Sequence, residues 1–261
     1  TSRGPVRSKP MDELKAELKE LAEAGYSEIV LVGINLSSYG RELGLRLVDA
    51  VEAACNTEGV KRVRLGSLEP ELLTQDDIDR MAALPQFCPQ FHLSLQSGCD
   101  ATLKRMNRHY DGKEYMRIVE MIRKAFDNSA ITTDIMVGFP GETDEEFKQS
   151  LEFAEKLGLA KAHVFAYSRR AGTRADKMDN QITRAVKEER SAKMIEVTDI
   201  TRKAFYEKQV GLVEEVLFET LDRDNMYEGY TKNYTPVRVK SDCDLSGKTL
   251  SVKITQANDD F

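Results

Sequence analysis

Short apolar runs, each followed at once by glycine or small polar residues, recur through the first ~180 residues with an amphipathic stretch between each pair. The runs lie at 29–32, 61–66, 90–95, 131–137 and 162–167. Between them, residues 11–24 place Leu14, Leu18, Leu21 and Ala22 on one helical face, and Gly25 closes that helix. Further helices are predicted at 43–56, 75–84, 101–127 and 144–158, the third interrupted near Asp111-Gly112, and a long one follows at 184–208. Thr74 with Asp77, and Thr143 with Glu146, have capping-box spacing at two of these starts. Regular alternation of strand and helix demands βα units around a parallel sheet, as a barrel or a doubly wound layer. The predicted class is α/β.

After Gln209 the pattern changes to short alternating strands. Val213, Val216, Leu217 and Phe218 open it, and Val237, Val239, Leu250, Val252 and Ile254 alternate with polar residues. Turns are predicted at 222–225, at Glu228-Gly229 and at Ser246-Gly247. Two units follow: 1–208, and a small β-barrel at 209–261.

Composition narrows the function classes. The chain has 261 residues, 41% hydrophobic and 31% charged, with a net charge of −6, which excludes a disordered chain. No apolar run is long enough to span a membrane. The four cysteines are far apart, with no CxxC pair, so neither a disulfide framework nor a zinc ribbon is expected, and a reducing, cytoplasmic setting is.

Ligands of parallel βα proteins bind at the carboxyl ends of the strands. Each run here ends in residues that let a ligand approach the backbone. They are Gly33-Ile34-Asn35, Gly66-Ser67, Gln96-Ser97-Gly98-Cys99, Gly138-Phe139-Pro140-Gly141-Glu142, and Ser168-Arg169-Arg170. Such turns use Gly, Ser and Asn for structural reasons too, but five on one rim favour a ligand mouth. Cations gather on that rim: Arg3, Arg7 and Lys9; Lys104, Arg105, Arg108 and His109; Arg169, Arg170, Arg174 and Lys177. They are either solvated surface charge or a docking site for phosphate. His92 and His163 sit inside strand patterns and read as packed residues. Asp134 alternates toward a barrel interior, where it needs either a ligand or an ion-pair partner.

Several strings then become familiar. LVGIN at 31–35, HLSLQSGCD at 92–100, LKRMNRHY at 103–110, TDIMVGFPGET at 133–143 and AYSRRAGTRADKM at 166–178 resemble the radical S-adenosylmethionine methylthiotransferases. GYTKNY at 229–234 resembles that family's terminal TRAM β-barrel. The QSGCD string most resembles the branch that modifies N6-threonylcarbamoyladenosine in tRNA. The resemblance implies a radical-SAM (β/α) barrel without its first strand, followed by a TRAM-like barrel. It implies two [4Fe-4S] clusters. One would cleave S-adenosylmethionine to a radical that abstracts hydrogen from C2 of the base, and the other would supply the sulfur.

The family's CxxxCxxC motif is not in the sequence, and Cys55, Cys88, Cys99 and Cys243 lack cluster spacing. The chain is therefore expected to be the C-terminal part of such an enzyme, inactive by itself, with no catalytic or metal-ligating residue of its own. By resemblance, Gly33, Asn35, Gln96, Asp134 and Gly138 would neighbour S-adenosylmethionine. Arg105, Arg108, Arg169 and Arg170 would face tRNA at its anticodon loop, and an electron donor would serve the clusters. In the terminal unit ten Asp and Glu outnumber six Lys and Arg, which argues against RNA binding. Tyr230, Lys232, Asn233 and Tyr234 offer stacking and hydrogen bonds in its favour, unless the tyrosines pack the barrel. The alternatives are an isopentenyladenosine tRNA substrate, a ribosomal-protein substrate, a non-catalytic RNA-binding module, and an unrelated barrel enzyme.

Overall fold

A computed structural model describes residues 4–258, so the expectation for Arg3 lies outside the described residues. The strands are β1 (Glu28–Leu31), β2 (Arg62–Leu65), β3 (Ser67–Leu68), β4 (Gln90–Leu93), β5 (Ala130–Val137) and β6 (Lys161–Ala166). All their pairings are parallel: β1 with β2, and β3-β4-β5-β6 in order. β2 and β3 are one strand that changes partner at Gly66. Val63 bridges to Phe87 ahead of β4, and the Gly66 amide donates to the Leu31 carbonyl at 2.9 Å. The two-residue β3 was not expected from the sequence.

The helices are α1 (Met11–Glu23), α2 (Leu47–Cys55), α3 (Gln75–Ala82), α4 (Asp100–Arg105), α5 (Gly112–Ala125), α6 (Asp144–Leu157) and α7 (Arg184–Glu207). Both expected capping boxes form, Thr74 with Asp77 and Thr143 with Glu146. The break near 111 has a cause: the Asp111 carboxylate accepts the Glu114 amide at 2.8 Å and starts α5 afresh. α2 starts later than expected, because two short 3₁₀ turns, Leu36–Ser38 and Arg41–Leu43, use up the residues after β1.

Alternation in β5 fixes which face is which. Ile131, Ile135 and Val137 bury against the helices, whereas Thr132, Asp134 and Met136 are half-buried on the concave, lumen face. A one-residue slip would exchange the two sets. Each buried aliphatic side chain is worth about 1.5–3 kcal/mol, which holds the register. The same core takes in Leu18, Val48, Phe91, Leu93, Ile118 and Ile122. α7 packs along β6. Its first turn meets the rim, where Lys187 donates to the Tyr167 carbonyl, and its far end meets the floor, where Gln209 bonds Asn128 just ahead of β5.

Beyond α7 come β7 (Val213–Leu221), β8 (Met226–Thr231), β9 (Pro236–Lys240) and β10 (Thr249–Lys253), a curled antiparallel sheet in the order β10-β7-β8-β9. Val216, Phe218, Tyr227 and Leu245 form its small core. One expected turn is corrected: Glu228-Gly229 lies inside β8. A Cβ on Gly229 would stand 2.3 Å from the Leu217 carbonyl oxygen, beside the register shift between Phe218 and Thr220. Gly229 marks a close strand approach.

Candidate cofactor and nucleic-acid site

The rim is built from the carboxyl ends of the parallel strands. After β1, Gly33, Ile34 and Asn35 are exposed, Ile34 at 80%. They edge a cavity of ≈ 690 Å³ that α1, β1 and the segment 4–9 line. After β4, Gln96 adopts a left-handed backbone, with φ +69°. Its amide donates to the Asp134 carbonyl at 2.9 Å and its carbonyl accepts the Met136 amide at 2.8 Å. A non-glycine residue in that conformation costs about 1–2 kcal/mol, so these two bonds to β5 hold it against local preference.

After β5, Gly138 is also left-handed, with φ +71°. Its amide donates to Glu142 Oε2 at 2.7 Å. Glu142 is 3% exposed, and Arg190 of α7 closes on it at 2.7 Å. Burial pushes the Glu142 carboxyl above its ordinary range, against the lowering effect of the Gly138 amide and Arg190. A Cβ at Gly138 would stand 2.2 Å from Lys187 Cγ. α7 thus lies directly over the 138–142 turn. Lys187 and Arg190 were not singled out in the sequence, where a cation on a polar helix reads as solvated.

Below the rim, the lumen face holds a polar cluster. His92 Nδ1 lies 3.0 Å from Thr132 Oγ1, and His92 Nε2 lies 3.6 Å from Asp134 Oδ1. The His163 ring is 6.2 Å from that of His92. Burial is the largest influence on His92 and lowers its pKa. Asp134 opposes this and His163 adds to it. Asp134 thus has an imidazole beside it that burial holds toward its neutral form, and it is still accessible from the lumen.

Three of the four arginines expected to face tRNA have acidic partners. Arg105 forks onto Glu146 and Thr102. Arg108 reaches Glu69 at 3.3 Å, and Arg169 reaches Asp176 at 2.9 Å. Arg170 is exposed. All four stand at the rim end.

The other expected RNA contacts lie at the opposite end. Lys232 Nζ donates to the Pro85 carbonyl at 3.0 Å, and the Asn233 amide donates to the Asn128 carbonyl at 3.1 Å. Pro85 and Asn128 precede β4 and β5, on the floor. Asn233 is 4% exposed, and Tyr230 stacks on Tyr234 with centroids 4.4 Å apart. The structure thus brings Gly33, Asn35, Gln96, Asp134, Gly138 and the four arginines toward one end, and Tyr230, Lys232, Asn233 and Tyr234 to the other.

Cys55, Cys88 and Cys99 are buried and Cys243 is exposed. Burial pushes the Cys55 thiol up to about 12 and raises that of Cys88. Among the described residues no group of three or more His, Cys, Asp or Glu could hold a metal ion. No described helix is long and apolar enough to cross a membrane.

Comparison with known proteins places this architecture. Residues 1–154 match the Radical SAM superfamily, and residues 207–261 match the TRAM domain. A tRNA-2-methylthio-N(6)-dimethylallyladenosine synthase of Symbiobacterium thermophilum is 37% identical, over 98% of this chain and 57% of its own length. The threonylcarbamoyladenosine tRNA methylthiotransferase MtaB of Bacillus subtilis is 35% identical, over 98% of this chain and 58% of its own. The chain spans little more than half the length of these relatives. In fold it is similar to coproporphyrinogen III oxidase of Escherichia coli, with a TM-score of 0.54 at 14% identity, over 85% of this chain and 59% of that one. With residues 1–154, more than half of its length, matched to that superfamily and its curled sheet matched separately, the chain belongs to the Radical SAM superfamily and carries a TRAM domain.

Proposed function

We propose that this chain is the cofactor-binding and tRNA-engaging part of a tRNA methylthiotransferase. The group added is a methylthio group, and the acceptor is C2 of an N6-modified adenosine at position 37 of the anticodon loop. Threonylcarbamoyladenosine is our reading of that base. The observation that supports this most is the rim, where Gly33, Gln96 and Gly138 expose or bend backbone at three strand ends around a half-buried polar lumen. The two relatives above carry names for two different N6-modified adenosines, which supports the class more than the choice of base. The QSGCD string favours threonylcarbamoyladenosine as a mark of branch. Cys99 itself packs away from the rim, its Sγ 3.3 Å from Gln149 Oε1 on α6.

The residues present fit an adenosyl cofactor. Val30, Val32 and Ile34 give an exposed apolar wall, and Asp134 and Gln96 give polar groups for a ribose. Gly33, Asn35, Gln96 and Asp134 would hold S-adenosylmethionine, with buried Gly138 shaping the turn beside them, and the cofactor supplies a carbon radical for hydrogen abstraction when reductively cleaved. The chain's own part is to bind, to orient and to keep water out of the lumen. Its cysteines do not fit an iron–sulfur cluster, so no step is assigned to them. We propose that the ligands of both clusters lie outside residues 4–258, that an electron donor serves them, that the chain alone is inactive, and that it works in the cytoplasm.

Nucleoside mass spectrometry of tRNA from cells lacking the full-length gene tests this. The methylthio group should be missing from threonylcarbamoyladenosine, and should return with the full-length gene and not with residues 1–261. Loss from dimethylallyladenosine instead would reassign the base. An unchanged profile would overturn the tRNA reading.

A further inference from the structure

The lumen face of β2 carries two arginines at the floor of the barrel, where solvent does not reach them. Val63 and Leu65 alternate into the core, so Arg62 and Arg64 must point the other way. Arg62 is 2% exposed and Arg64 4%. Glu28 of β1 is the acid beside them, 2.8 Å from Arg62 and 3.1 Å from Arg64. One carboxylate cannot accept from every donor of two guanidiniums. The remaining donors go to backbone carbonyls of the TRAM domain. Arg62 reaches the Tyr230 and Thr231 carbonyls at 3.1 and 2.6 Å, and Arg64 reaches the Lys232 carbonyl at 2.9 Å.

A second observation comes from the turn itself. Tyr234 holds a left-handed backbone, with φ +66°, a conformation that glycine or asparagine takes at less cost. This places its ring on Tyr230 and under the Arg64 guanidinium, 4.6 Å from the ring centre. Asn233 Oδ1 gathers the hydroxyls of Thr231 and Thr235 and keeps the turn in that shape. A turn shaped to read RNA would offer its carbonyls and its asparagine to solvent. This one spends them on the barrel.

We propose that Arg62 and Arg64, with the Tyr230–Tyr234 turn, form a latch that fixes the TRAM domain across the floor of the barrel, and that Arg64 and Tyr234 are positioning residues for tRNA and not contacts to it. The latch closes the floor, so the lumen opens at the rim. It also sets the attitude of the TRAM domain toward an RNA approaching that rim. Only this last consequence rests on the tRNA reading.

The full-length protein is compared with Arg64→Met and Tyr234→Ser, the second of which removes no charged group. Hydrogen exchange without RNA should quicken in both 61–66 and 229–236, with 112–125 unchanged. No change, or a change confined to the turn, overturns the latch. Filter binding of tRNA across a salt series should show both variants weaker by about fivefold to tenfold, with an unaltered salt slope. A slope smaller by about one for Arg64→Met would mean a phosphate contact and overturn the positioning role. A wild-type protein that binds no tRNA overturns the tRNA reading and that role together, while the exchange result judges the latch separately.

Discussion

Arg190 crosses from α7 to close on Glu142 at 2.7 Å, and Glu142 in turn accepts the Gly138 amide on the rim. The helix thereby sets the shape of a turn that borders the proposed cofactor site. Removing one member of a buried ion pair strands the other, which costs about 3–5 kcal/mol. Arg190→Met should lower stability by that amount in urea unfolding. Arg190→Met with Glu142→Leu should recover most of it, because an apolar replacement strands no charge. A single-variant loss below about 1 kcal/mol would show that the pair does not organise the turn.

Two carboxylates, Glu142 on this turn and Glu146 in the first turn of α6, should respond to pH with opposite sign. Hydrogen bonding from Arg105 leads the effects that hold Glu146 below its ordinary value of 4.5. Its contribution is present above that value and is lost as pH falls through the lowered one. Burial holds Glu142 above the same ordinary value, so its contribution is present below it and is lost as pH rises through the raised one. Relative to Glu146→Gln, wild-type protein should therefore lose its advantage on going from about pH 7 to pH 4, whereas relative to Glu142→Gln it should gain. Parallel trends in the unfolding midpoints would contradict the assignment.

His92 should titrate below 6.5, its ordinary value, because burial outweighs Asp134. Its neutral form then favours the fold above that value, and stability falls as pH drops through the lowered one. The carbon-bound ring protons in NMR give the midpoint directly. Asp134→Asn should depress it further, by removing the one charge that raises it. A midpoint at or above 6.5 in the wild type would show that the lumen is wetter than the geometry implies.

Gly229→Ala should destabilise the TRAM sheet, since the added carbon meets the Leu217 carbonyl at 2.3 Å and backbone cannot step aside as a side chain can. A cost of about 1–3 kcal/mol fits overpacking of this kind. Gly229 does not have a left-handed backbone, so strain of that kind adds nothing to the cost. A loss below about 0.5 kcal/mol in thermal unfolding would remove the steric explanation.

Much of the βα half was legible because its signals are local. Thr74 with Asp77, Thr143 with Glu146, and Asp111 at the interrupted helix each act within four residues of themselves. The rim was legible for a similar reason, since strand ends announce themselves as glycine after an apolar run. What failed to show depends on partners remote in sequence. Glu228-Gly229 reads as a turn until Leu217 is known to lie against it. Arg105, Arg108 and Arg169 read as unpaired rim cations until Glu146, Glu69 and Asp176 are seen beside them. One partner of Arg64 is a carbonyl 168 residues away, which no local pattern could reveal.

The long helix α7 also acts as a ruler. At 24 residues it measures about 36 Å, from Lys187 and Arg190 over the rim turn to Gln209 beside Asn128. Its residue count therefore sets both the height and the heading at which the TRAM sheet leaves the barrel. One inserted residue would advance the sheet only about 1.5 Å but swing it by about 100°. A chain with this division of labour can vary freely at the exposed positions of that helix, away from Lys187, Arg190 and its buried face, and hardly at all in its length.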